Sequence, residues 1–161
     1  MYNITDIIDK AILQGEKRQA VMKGHLEKCQ QPRMRIMISI LIKSIERDIE
    51  FHRELEAELK DKELEDIDIR IYDQIATLLN QFEKNLVRLE CMHSTEEILV
   101  EYEEFSKSLM ALFINIQGRL AENGAAAYPV AYEAMTRMIS DKRKMIKDIE
   151  RLVNQSNKSI S

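Results

Sequence analysis

Tryptophan is absent from this 161-residue chain, and proline (2), glycine (4), cysteine (2) and histidine (3) are all scarce. With so few chain-turning residues, the sequence favours a small number of long elements over many short ones. Cys29 and Cys91 stand alone, without a C-x-x-C pair, which argues against a disulfide framework and fits free thiols in a cytoplasmic protein. No apolar run approaches the roughly 18 residues of a membrane span. The opening stretch MYNITDIIDKAILQGEK carries acids inside its apolar pattern, unlike a signal peptide. Lys plus Arg number 24 against 28 Asp plus Glu, a net charge of −4, and no basic block stands out. A nucleic-acid or anionic-membrane surface is therefore not expected. No Gly-rich phosphate loop, nucleophile elbow or Ser/His/Asp arrangement is present.

What is present is helical periodicity. Hydrophobic residues make up 45% and charged residues 32% of a chain long enough to bury a core. The clearest stretch runs from Met34 to Lys60, where Met34, Ile38, Leu41, Ile45, Ile49, His52, Leu55 and Leu59 form one stripe in steps of three and four. Glu46, Asp48 and Glu50 flank His52 on that stripe. Before it, a helix from Thr5 or Asp6 to Cys29 has its seam at Ile4, Ile8, Ala11, Gly15, Met22, Leu26 and Cys29. Gln30-Gln31-Pro32 separates the two, since proline disfavours helix at the preceding residue and suits a first helical turn.

Three more helices follow. Glu65-Asp66 is read as the cap of a third, with its seam from Ile67 through Ile71, Ile75, Leu78 and Phe82 to Leu89. Ser94-Thr95-Glu96-Glu97 reads as a capping box opening a fourth, with its seam from Ile98 to Leu120. Asn123-Gly124 stops it, and Pro129 opens a fifth whose seam is Met135, Met138, Lys142, Met145, Ile149 and Leu152. Short links between long amphipathic helices make neighbours antiparallel. The expected fold is all-α, a single bundle domain over residues 1–154 with a polar, frayed tail at 155–161.

The segment DIIDKAILQGEKRQAVMKGHLEKCQQPRMRIMISILIKSIERDIEFHREL resembles the first helix pair of the ferritin-like, rubrerythrin-type proteins. EEILVEYEEFSKSLMALF and MTRMISDKRKMIKDIERL are similar to the third and last core helices of that family. The resemblance implies four long core helices plus a long crossing helix, here the one beginning at Ile67. It also implies a di-metal centre built from Glu and E-x-x-H residues on the four core helices. At those positions this chain has Gly15 (with Glu16 beside it), Glu46 with Ile49 in place of its His, Ser106, and Lys142 with Met145.

Three readings follow. The first is a non-catalytic ferritin-like protein that has lost the di-iron centre, needs no cofactor, and acts by binding a protein partner or by homo-oligomer assembly. Off-seam apolar residues at Ile7, Ile12, Ile36, Ile69, Phe113, Ile114 and Ile146 would supply its contact surface. The second is an iron- or manganese-binding oxidoreductase or iron-handling protein with a rearranged site of Glu16, Glu46, Glu50 and His52, extended by Glu101 or Glu104. The third is a helical adaptor or chaperone-like module with no small-molecule site.

Lys142 falls on a seam, where an ammonium is costly unless paired. Either it forms an interior ion pair with Glu46 or Asp48 (or with Glu16), or it snorkels to the bundle edge. His52 and Glu56 make an H-x-x-x-E pair on one helical face, and Glu90 to His93 is the chain's literal E-x-x-H, at a helix end. The seam methionines read as core filler.

Overall fold

The computed structural model describes residues 1–85, 94–124 and 126–160. Among these, five α-helices account for nearly all the regular structure: α1 (Ile4–Lys28), α2 (Pro32–Leu59), α3 (Ile69–Asn85), α4 (Thr95–Leu120) and α5 (Pro129–Ile160). No strand occurs among the described residues; a single bridge joins Tyr2 to Ile67. The chain divides into two compact units, one of residues Thr5–Glu63 and one of Met1–Ile4 with Leu64–Ser161, where composition alone suggested one domain.

The Thr5–Glu63 unit is the antiparallel pair α1–α2. Gln31 is extended (φ −76°, ψ 121°), Pro32 takes the first turn of α2, and the chain reverses within three residues. Arg35 closes the reversal by donating from Nη1 to the carbonyls of Leu26 (2.6 Å) and Cys29 (2.9 Å), which the end of α1 leaves without helical partners. Further along, Gln19 Nε2 donates to Glu46 Oε1 (3.1 Å), and Arg53 pairs with Glu16 (2.9 Å). At Gly15 the two helices approach closely. A Cβ there would lie 2.7 Å from Ile49 Cγ1, so α1 needs glycine at this point of the seam. The expected apolar stripe of α2 is buried throughout, from Met34 to Leu59.

In the second unit α4 packs chiefly on α5 and over a shorter stretch on α3. Antiparallel pairing of α4 and α5 is fixed by Gln117 Nε2, which donates to the Tyr132 carbonyl (3.1 Å) and Thr136 Oγ1 (2.7 Å), and by Lys107 with Glu150 (3.5 Å). Phe82 of α3 meets Phe105 of α4 at 5.6 Å between ring centroids. Ser94 caps α4 as expected, accepting from the Glu97 amide at 3.2 Å. Gly124 has φ +100°, the left-handed value that ends the turn after α4.

Two boundaries differ from the sequence reading. Asp68, not Glu65 or Asp66, caps α3, its Oδ1 accepting from the Arg70 amide at 2.8 Å. Glu65 instead accepts from the amides of Val130 (2.7 Å) and Ala131 (3.3 Å), so it caps α5 across 65 residues of chain. The second difference is the tail, which stays helical to Ile160 because no Gly or Pro interrupts it after Pro129. The expected end of α3 near Met92 lies outside the described residues.

Candidate functional site

The polar side chains buried in the Thr5–Glu63 unit come in helical pairs: Gln14 and Arg18 on α1, Asp48 and His52 on α2. Each pair is spaced by four, so both members share one face. His52 is 1% exposed, and its Nδ1 lies 2.7 Å from the Asp48 carbonyl oxygen and 3.7 Å from Asp48 Oδ1. An imidazole nitrogen facing a carbonyl carries the proton, so Nδ1–H donates to the backbone of its own helix. The ring stands edge-on to Phe51, centroids 5.2 Å apart.

One turn further along α2, the half-buried Glu56 approaches the exposed Asp9 of α1. Its carboxyl is pushed up to about 7. The hydrogen bond with Asp9 contributes most, then burial, then the Asp9 charge, while Lys60 pulls the other way. Two carboxyls sharing one proton avoid facing each other as like charges. Glu56 thus belongs with Asp9, and His52 with Asp48. Sequence spacing linked His52 to Glu56 and offered no sign of Asp9, which lies off the α1 seam. The antiparallel offset that sets Gly15 against Ile49 would also have set Asp9 against Glu56.

The residues of a rearranged metal site are dispersed. Glu16 is exposed and held by Arg53, Glu46 is exposed and receives Gln19, and Glu50 is exposed. His52 faces inward, because two residues along a helix turn a side chain through roughly 200° relative to Glu50. In the other unit Glu104 is exposed, while Glu101 is half-buried with its Oε2 enclosed. Among the described residues no group of three or more His, Cys, Asp or Glu side chains is placed to hold a metal ion.

Of the other positions that the family resemblance selects, Met145 is half-buried and the rest are interior. Gly15 is buried, Ile49 is 5% exposed, Ser106 1% and Lys142 2%. Lys142 therefore does not snorkel to an edge; its Nζ donates to the Met145 sulfur at 3.7 Å. Of its expected partners, Asp48 is buried and Glu46 exposed. Ser106 Oγ is buried without a hydrogen-bond partner among the described residues.

Of the apolar residues assigned to a contact surface, Ile7, Phe113 and Ile146 belong to the core. Their helices bury more than one seam's width, which a single stripe of positions misses. Ile36 (63%), Ile69 (55%) and Ile114 (44%) are exposed, and Ile40 (38%) joins Ile36 along an open groove of α2. Met22, Met34, Met135 and Met138 are buried core filler. Cys29 is a half-buried free thiol, and Glu90, Cys91 and His93 lie outside the described residues. No helix among the described residues is long and apolar enough to cross a membrane. Compared with known protein families, curated proteins and solved structures, the chain gives no match in any of the three.

Proposed function

We propose that this is a non-catalytic helical protein on a ferritin-like scaffold, without the di-iron centre of that family, which works by assembling with itself or another protein. One observation carries the reading. The interior positions where such a centre draws its ligands hold Gly15, Ile49, Ser106 and Lys142. A glycine, an isoleucine, a serine and a lysine do not replace carboxylates and imidazoles as ligands. These residues do not fit a di-metal cofactor.

The rearranged iron or manganese site is less well supported. Arg53 and Gln19 already occupy Glu16 and Glu46, and Glu50 points away from His52. His52, for its part, is anchored through Nδ1 to the α2 backbone.

Metal analysis of the full chain purified without chelator, followed by titration with ferrous iron, tests the proposal. A folded protein that retains no stoichiometric iron or manganese is expected. About two equivalents per chain, the complement of a carboxylate-bridged pair, would overturn it.

A further inference from the structure

The outward face of α2 carries a second periodic pattern that the core does not use. Ile36, Ile40, Lys43, Arg47, Glu50, Glu54 and Ala57 are all exposed and follow one another in steps of four and three. Such a 3.5-residue repeat keeps all seven on one face of the helix, the spacing by which two helices pair along a seam. Its charges are ordered, two cations followed by two anions. Among the described residues none of these four side chains makes a hydrogen bond or ion pair.

The order is antisymmetric about the midpoint between Asp48 and Ile49. Running a second copy of α2 antiparallel across that midpoint sets Lys43 against Glu54 of the partner subunit and Arg47 against Glu50 of the partner subunit. Each pair occurs twice, once on either side of the axis. Ile40 then meets Ala57 of the partner subunit, with Ile36 packing one turn beyond. In every such pair the two positions are of different heptad type, the matching that antiparallel seams require. A parallel copy would instead put like charges together.

We infer that the exposed α2 face is a homodimer interface in which two copies pair antiparallel about a twofold axis passing between Arg47 and Glu50. This rests on the reading of the chain as an assembling protein and names its partner as a second copy. The contact is isologous, so it closes at two subunits and leaves no open end for a filament. Its centre is charged and its apolar ends are small, so register and orientation come from the ion pairs and affinity is modest.

Sedimentation of the full chain over a concentration series tests the inference. Wild type is expected to form a dimer whose dissociation constant rises at least about tenfold when NaCl goes from about 0.05 M to about 0.5 M. The double variant K43E/R47E places four acids in the seam, and E50K/E54K places four bases. Each alone is expected to be monomeric with unchanged helicity. Mixed in equal amounts, the two are expected to recover a heterodimer, because every acid of one then meets a base of the other. A wild type that remains monomeric, or a mixture that does not associate, overturns the interface. A wild-type dimer that K43E/R47E leaves intact also overturns this interface but preserves self-assembly as the mode of action. Metal loading, by contrast, would defeat the functional reading whatever the dimer result.

Discussion

At the scale of single residues, the close approach at Gly15 sets up a test with a change of sign. Gly15→Ala regains about 1 kcal/mol of helix propensity, but its Cβ would lie 2.7 Å from Ile49 Cγ1. Overpacking of that kind costs about 1–3 kcal/mol, so urea denaturation should show a net loss of about 1 kcal/mol. In an Ile49→Ala background the obstructing atom is gone, and the same Gly15→Ala change should stabilise. Ser106→Ala should be neutral or stabilising by up to about 1 kcal/mol, since it removes a buried hydroxyl that has no hydrogen-bond partner among the described residues. A thermal melt that drops markedly would show that Ser106 Oγ is used.

Glu56 makes a pH prediction at the same scale. Its folded-state value, about 7, lies above the ordinary 4.5, so the folded protein binds this proton more tightly than the unfolded chain. The contribution is complete below pH 4.5 and is lost as the pH rises through 7. The urea midpoint should therefore fall between pH 5 and pH 8 in wild type. Glu56→Gln should flatten that fall, because an amide keeps a donor towards Asp9 at every pH. An unchanged slope in the variant would show that another group titrates there.

At the scale of elements, most of the fold is legible in the sequence, because helix interiors are written in periodicity and several ends in single residues. Pro32, Ser94, Gly124 and Pro129 mark boundaries that the structure keeps. The start of α3 was not legible. Glu65, Asp66 and Asp68 are all acids before an apolar run, and local sequence cannot tell that Glu65 is drawn to a helix 65 residues away. The α3 seam also passes through Leu79, 5% exposed, rather than Leu78, since one residue of register is within the breadth of an apolar stripe. Caps give the matching prediction: Ser94→Ala should cost about 1 kcal/mol through α4. Glu65→Ala, which removes acceptors from two amides and a negative charge at the α5 N-terminus, should cost about 1–2 kcal/mol. Thermal melts in which Ser94→Ala proves the more damaging would contradict that ranking.

At the scale of the whole molecule, the candidate site was the least legible part. Glu46, Glu50 and His52 lie within two turns of one helix, yet burial sends His52 inward and the carboxylates, with Glu16 of α1, outward. Which face of a helix is covered depends on every other helix, and a single-helix pattern carries only part of that. The division into two units was hidden for a related reason. Met1–Ile4 belong with the unit that starts again at Leu64, and although the charged run from Lys60 to Glu63 marks the second crossing, no change in composition marks the first.

The N-terminal residues are fastened by partners far along the chain. The Tyr2 carbonyl accepts from the Ile67 amide at 2.8 Å, and the Tyr2 ring stacks on Tyr72 with centroids 3.8 Å apart. A ribosome delivers Tyr2 some 65 to 70 residues before these partners, several seconds earlier at typical rates of synthesis. During that interval the α1–α2 hairpin has all of its own sequence and can fold, while the residues ahead of it wait for theirs. Tyr2, made before the hairpin, is thus secured only after it, once Ile67 and Tyr72 have been added.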